Sequence, residues 1–97
     1  MKSILLNKLG KDQNYEIKAK DLSTITELNA DDKNITNIEP LKYCSNLKTL
    51  SISNNNIENL TPLSSLTNLT NLTYINLYSN AVSNLTPLKN LTKKMHF

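Results

Sequence analysis

The side chains that could do chemistry are few, and their spacing argues against a reaction. The chain has one cysteine, Cys44, and one histidine, His96, far apart in sequence. A single cysteine cannot close an internal disulfide. A reactive thiol needs a neighbouring base or a helix N-terminus, and nothing near Cys44 supplies either, so it reads as a small core hydrophobe. His96 has no second histidine or cysteine at zinc-ligand spacing and no serine or carboxylate motif beside it, which leaves a solvated residue. Asp31-Asp32 follows Glu27, but calcium takes about six oxygen ligands, usually from a loop containing glycine. An acidic surface edge is the expectation. No phosphate-binding glycine loop, HExxH or CxxC occurs. The single glycine also counts against catalytic loops. The reading is a non-enzyme with no metal and no cofactor.

Recognition is the chemistry that remains, and a repeat positions it. Ile25-x-x-Leu28-x-Ala30 recurs as Leu47-x-x-Leu50-x-Ile52 and as Leu72-x-x-Ile75-x-Leu77. The interval from Ile25 to Leu47 is nearly kept from Leu47 to Leu72, which is slightly longer. Each copy runs into a polar turn and another apolar residue: Lys33-x-Ile35, Asn55-x-Ile57, Asn80-x-Val82. The pattern L-x-x-L-x-L-x-x-N-x-L at this period marks a leucine-rich repeat. The alternating stretch reads as a half-buried strand, predicted over residues 27–30, 49–52 and 74–77 in a parallel sheet. Pleat alternation then turns Glu27, Asn29 and Asp31 outward in the first copy. Thr49, Ser51 and Ser53 follow in the second, and Tyr74, Asn76 and Tyr78 in the third. Stacked, these make three rows on a concave face and form the candidate ligand-binding set. Tyr74 and Tyr78 are its largest members, and tyrosine is favoured at binding hot spots; tyrosine also has high strand propensity.

Asn55 and Asn80 share one place in the turn. A buried amide there can both donate to and accept from the backbone of adjacent turns, a structural ladder. Lys33 holds the place in the first copy, which suggests an irregular first turn. Beyond each turn the apolar residues fall every third position, as in Ile35, Ile38, Leu41, Cys44, Leu47. Period three belongs to a 3₁₀ helix or successive tight turns, so the convex side is expected to be 3₁₀-like. Pro40, Pro62 and Pro87 sit in this run, where no strand hydrogen bond is needed. The second copy carries one extra Thr-Asn-Leu within residues 66–72. Three residues added at period three leave the inward face unchanged, so the strand ladder should continue past a local convex bulge.

Residues 1–24 lie outside the repeat. Ile4, Leu5 and Leu9 suit one face of a short helix ended by Gly10. A second short helix is expected near residues 18–23, with Ile17, Leu22 and Ile25 inward. Their role is a cap, since a terminal repeat otherwise exposes its core. The division is a helical cap over 1–24 and about three repeats over 25–46, 47–71 and 72–97.

Composition narrows the partners. Ninety-seven residues make one domain with a modest core. The net charge of +3 and pI of about 9.0 come from scattered lysines, a weak signal for nucleic acid. No stretch approaches the roughly 18 apolar residues of a membrane span. Met1–Leu6 begins like a signal peptide but stops at Asn7-Lys8, so the chain as written reads as cytoplasmic. Six Asn-x-Thr triplets begin at Asn34, Asn59, Asn68, Asn71, Asn84 and Asn90. They could accept glycans in a eukaryotic secretory pathway, but most are copies of one repeated Asn-Leu-Thr, and repeat consensus accounts for them.

Residues 57–63, Ile-Glu-Asn-Leu-Thr-Pro-Leu, and 82–88, Val-Ser-Asn-Leu-Thr-Pro-Leu, resemble the 22-residue repeats of bacterial internalin-like proteins, as does Leu66-Thr67-Asn68-Leu69. The segments Leu9-Gly10-Lys11 and Asp21–Ile25 are similar to the helical cap of that family. The resemblance implies a right-handed, curved α/β solenoid that binds other proteins on its concave face. It also implies a secreted or cell-surface setting. Members of that family usually carry many more repeats.

The preferred reading is a capped module that binds a protein ligand of unknown identity. The alternatives are a nucleic-acid-associated adaptor and a structural or self-assembling repeat fragment. Phe97 follows Ile75 at the interval that separates Ile25 from Leu47, where the next strand's core residue is expected. The strand at 74–77 is therefore expected to leave one edge unpaired, with Leu85, Leu88 and Leu91 partly exposed. Such an edge is a template for a homodimer through the C-terminal end.

Overall fold

A repeat of this length must bring the chain back to its start with every apolar side chain inside. The computed structural model describes residues 1–67, 72–89 and 95–96. It achieves the return with a short strand, a polar turn and a 3₁₀ turn in each coil. The strands are β1 Glu27–Asn29, β2 Thr49–Ser51, β3 Tyr74–Asn76 and β4 Met95–His96. They form one parallel sheet in the order β1-β2-β3-β4. Each of the first three is one residue shorter than the sequence pattern predicts, with start and direction as expected. The 3₁₀ helices are η1 Glu39–Tyr43, η2 Thr61–Leu63 and η3 Thr86–Leu88. Each has proline in its first turn, where the missing N–H costs no hydrogen bond. The period of three in the sequence is thus the period of the 3₁₀ helix.

The longer second repeat keeps the pleat in register. Glu27 pairs with Thr49, and Thr49 with Tyr74, although the inserted Thr-Asn-Leu lies within the second interval alone. On the convex side a single α turn, α3 Ser64–Thr67, follows η2 directly. The expected convex bulge falls mainly on residues 68–71, which lie outside the described residues.

The core consists of columns of equivalent residues. Leu28, Leu50 and Ile75 form one, Ala30, Ile52 and Leu77 the next, and Leu41, Leu63 and Leu88 a third; all are buried. Cys44 is fully enclosed among them, and burial pushes its thiol up to about 11. Each large side chain in these columns contributes about 1.5–3 kcal/mol by leaving water.

The cap is two helices, α1 Lys2–Leu9 and α2 Ala19–Leu22. Gly10 ends α1 in the left-handed conformation at φ 71°, and its N–H donates to Asn7 while that of Lys11 donates to Leu6. Leu5 joins the core, with Ile4, Leu9 and Ile17 packed against it. The Asp21 carboxylate accepts from the Lys18 N–H and the Tyr15 hydroxyl, both at 2.9 Å, which closes the first turn of α2.

Two expectations about the C-terminal end are corrected. Ile75 pairs with Met95, so the fourth strand arrives before Phe97, which lies outside the described residues. β3 is therefore paired on both sides, and the edge proposed as a dimer template does not exist there. Leu88 is buried at 1% exposure, whereas Leu85 is 43% exposed. Leu91 lies outside the described residues. Leu60, the equivalent of Leu85 one coil earlier, is 1% exposed. A period gives the inward face of each coil and is blind to how well the neighbouring coil covers it.

Three equivalent turn residues, Asp32, Asn54 and Ser79, hold positive φ, at 57°, 54° and 57°. Aspartate and asparagine tolerate this region, and serine does so less well. Ser79→Gly should therefore raise stability by up to about 1 kcal/mol, and Ser79→Val should lower it. Urea midpoints of the two variants check this.

Candidate functional site

Strand pairing lays the nine outward residues in three rows. The row Glu27, Thr49, Tyr74 and the row Asn29, Ser51, Asn76 are registered pairs in the sheet. Main-chain bonds from Asp32 N to Ser53 O (3.0 Å) and from Asn54 N to Tyr78 O (2.8 Å) carry the pairing on to the row Asp31, Ser53, Tyr78. Neighbouring strands stand about 4.8 Å apart, so each row is about 10 Å from end to end.

Their exposure differs. Glu27, Asn29 and Tyr78 are exposed, and Asp31, Thr49, Ser51, Tyr74 and Asn76 are half-buried. Ser53 departs from the outward placement and is 8% exposed. It is drawn in because Asp31 spans the two coils. The Asp31 Oδ1 accepts from Ser51 Oγ at 2.8 Å and from the Ser53 N–H at 2.7 Å. Partial burial pushes the Asp31 carboxyl up, but the donors from Ser51, Ser53 and Asn29 outweigh it and hold it below its ordinary value. Asn29 and Asn76 each accept, through Oδ1, the N–H two residues on, from Asp31 and Tyr78. The ends of their strands are fixed by these side chains.

Beneath this face lies the asparagine ladder. Asn55 Oδ1 accepts from the Lys33 and Ile35 N–H groups, both at 3.0 Å. Its Nδ2 donates to the carbonyls of Ala30, Ile52 and Ser53 at 3.0, 2.9 and 3.0 Å. Asn80 accepts from Ile57 N–H at 3.1 Å and donates to Ile52 at 2.8 Å, with longer contacts to Leu77 and Tyr78. Asn55 is 5% exposed, and Asn80 is half-buried.

A second set of asparagines had no role assigned from sequence. Asn37, Asn59 and Asn84 each accept, through Oδ1, the N–H of the first 3₁₀ residue: Glu39, Thr61 and Thr86, at 2.8, 2.9 and 3.0 Å. The signal was present as Asn-x-(Glu/Thr)-Pro, an Asx turn leading into proline. Two of these are the Asn-Leu-Thr triplets at 59 and 84, which gives the repeat consensus a physical cause.

Among the described residues no group of three or more histidine, cysteine, aspartate or glutamate side chains is placed to hold a metal. The His96 side chain lies outside the described set. No described helix is long and apolar enough to cross a membrane. A recess of about 650 Å³ lies away from the rows, between the cap and η1. Leu5, Ile17, Leu22, Pro40 and Tyr43 line it, and no sequence signal pointed to it.

A family model for leucine-rich repeats, built of two copies, matches residues 23–65 and again 45–90. This chain belongs to the leucine-rich repeat family. Among solved structures it is similar to the internalin InlF of Listeria monocytogenes, at 25% identity and a TM-score of 0.74. That match covers 98% of this chain and 34% of InlF, so the chain spans about a third of that relative's length. Internalin C2 of the same species matches in fold at 22% identity and a TM-score of 0.56, over 97% of this chain and 71% of its own. A structure of the CBM51-2 and INT domains of Clostridium perfringens ZmpB matches at 26% identity and a TM-score of 0.60, covering 77% of this chain and 16% of that one. No curated protein matches the chain. The leucine-rich repeat is internalin-like, and its fold is that of a protein-interaction module.

Two outcomes follow from the hydrogen bonds. Asn55→Ala should destabilise this leucine-rich repeat by roughly 1–3 kcal/mol, because it removes the side-chain partner of the Lys33 and Ile35 N–H groups and of the Ala30 carbonyl. Asn80→Ala should cost less, since Asn80 is itself half-buried and accepts from one N–H where Asn55 accepts from two; equal urea midpoints would contradict this ordering. The Asp31 carboxyl titrates lower folded than unfolded. Its stabilisation is therefore present at neutral pH and is lost as pH falls from about 4 through the lower folded value. The acid limb of a stability–pH curve should be shallower in Asp31→Asn.

Proposed function

We propose that this chain binds a protein ligand on the concave face of its sheet and catalyses nothing. One observation carries the reading: Tyr74 and Tyr78 stand on the same face of one coil, two residues either side of Asn76. Tyr78 is half exposed, and Tyr74 reaches solvent in part. Large, stiff, amphipathic side chains on a rigid sheet bury much area on binding and lose little conformational entropy. The hydrogen bonds within the rows support this reading, because Asn29, Asn76 and Asp31 hold the platform in one shape before a ligand arrives.

The same rows speak against nucleic acid on this face. Their ionisable groups other than the tyrosines are Glu27 and Asp31, both acidic, whereas phosphate binding needs a continuous basic stripe. The likeness to InlF supports protein binding as the class of activity.

A photo-crosslinking residue placed at Asn76 should capture the ligand, while one at Lys89 on the opposite, convex side should not. Replacing both Tyr74 and Tyr78 with alanine should weaken binding about tenfold or more and leave the melting transition in place. Unchanged affinity in the double variant would move the site off these rows.

A further inference from the structure

Resting on the concave-face reading, we infer that the partner presents a cationic segment, with lysine or arginine side chains lying across the rows. The arrangement that carries this is a matched pair of rows. Glu27 and Tyr74 stand two strands apart in one row, and Asp31 and Tyr78 two strands apart in another. Each row therefore offers a carboxylate and an aromatic face about 10 Å apart, with small polar residues, Thr49 and Ser53, between them. A carboxylate and a tyrosine ring both attract cations, the one by charge and the other through its quadrupole. A long flexible basic side chain entering over Thr49 or Ser53 meets both.

The charge distribution makes the face selective. The chain carries a net charge of +3, yet none of its lysines is among the nine row residues. Five of them, Lys2, Lys8, Lys11, Lys18 and Lys20, are in the cap region. The two carboxylates attract a cationic ligand locally, while Lys8 and Lys33, which line a recess with Asn29, disfavour its approach from the cap side. The Asp31 carboxylate is fixed in place by Ser51 and Ser53, so it is presented to the ligand already ordered. The chain itself shows that cations settle on its tyrosines: Lys42 lies 5.2 Å above the ring of Tyr43, and Lys11 lies 4.8 Å above that of Tyr15.

The two acids are four residues apart along a nearly extended strand, about 13 Å. A peptide with lysines at i and i+4, in an otherwise serine- and threonine-rich extended sequence, is the matching probe. The control is the same peptide with glutamates in place of the lysines. Both are titrated into the isotope-labelled full chain at low salt, with backbone amide shifts as the readout. The lysine peptide should move the amides of Glu27, Asp31, Tyr74 and Tyr78. Its affinity should fall about tenfold in Glu27→Lys and again as salt is raised. Glu27 is exposed, so this variant should keep the parent melting temperature. Glu27→Gln, with a smaller loss, serves as a second variant. If the glutamate peptide binds the rows as well or better, the cationic partner is overturned and the concave face stands. If the lysine peptide moves only the recess at Ile17 and Tyr43, the proposal falls and the concave face loses support with it. No shift from either peptide, or binding indifferent to Glu27→Lys, also overturns the cationic partner. The tyrosine double variant then still decides the face independently.

Discussion

One carbonyl joins the coils. Ile52 O accepts from Asn55 of its own coil and from Asn80 of the next. Asn55 also reaches back to Ala30, and Asn80 to Leu77. The line from Ala30 to Leu77 is thus a continuous alternation of amide and carbonyl through the interior. A short strand that turns sharply leaves backbone groups pointing inward with no ladder partner, and an unpaired buried group costs a few kcal/mol. An asparagine side chain offers two donors and an acceptor in one flat unit, which fits that gap. The short strands, the left-handed residues at 32, 54 and 79, and the close approach of the coils all require that it be filled.

Seven of the sixteen asparagines, at 29, 37, 55, 59, 76, 80 and 84, are therefore several solutions to the same problem. Some sit inside the turn, some at the strand end, and some ahead of the 3₁₀ helix. The inside set was legible in the sequence because it recurs with the leucines. The 3₁₀ set recurs equally well, but Asn-Leu-Thr also spells a glycan acceptor, and that meaning masks the structural one. Its cause is local: an Asx turn competes well just before a proline, whose ring disfavours the α conformation in the residue ahead of it. The strand-end set, Asn29 and Asn76, was read as ligand-facing only, because hydrogen bonds between such near neighbours carry no periodic trace.

The face itself was legible to the extent that alternation reports it. Eight of the nine outward residues reach solvent at least in part, and Ser53 does not. Pleat arithmetic gives the direction of a side chain but not what a neighbour reaches over it, and Asp31 is long enough to cover the next coil. The C-terminal misreading has the same origin. Counting on from Ile75 by the first interval assumes that every coil has the standard length. The chain had already departed from it once, and the fourth strand enters early, at Met95.

The departure in the second repeat has a wider meaning. Glu27, Thr49 and Tyr74 remain abreast although one of the two intervals between them holds an extra Thr-Asn-Leu. From β1 to β3 the intervals between paired residues, 22 and 25, leave the same remainder after division by three, whereas the 20 residues from Ile75 to Met95 do not. In the second repeat a whole triplet is added and the pairs between β2 and β3 stay in place on the binding side. The convex loop is thus a neutral register in which such a gene can lengthen or shorten without rewriting what the other face recognises. It is also the natural place to graft a foreign segment onto this scaffold.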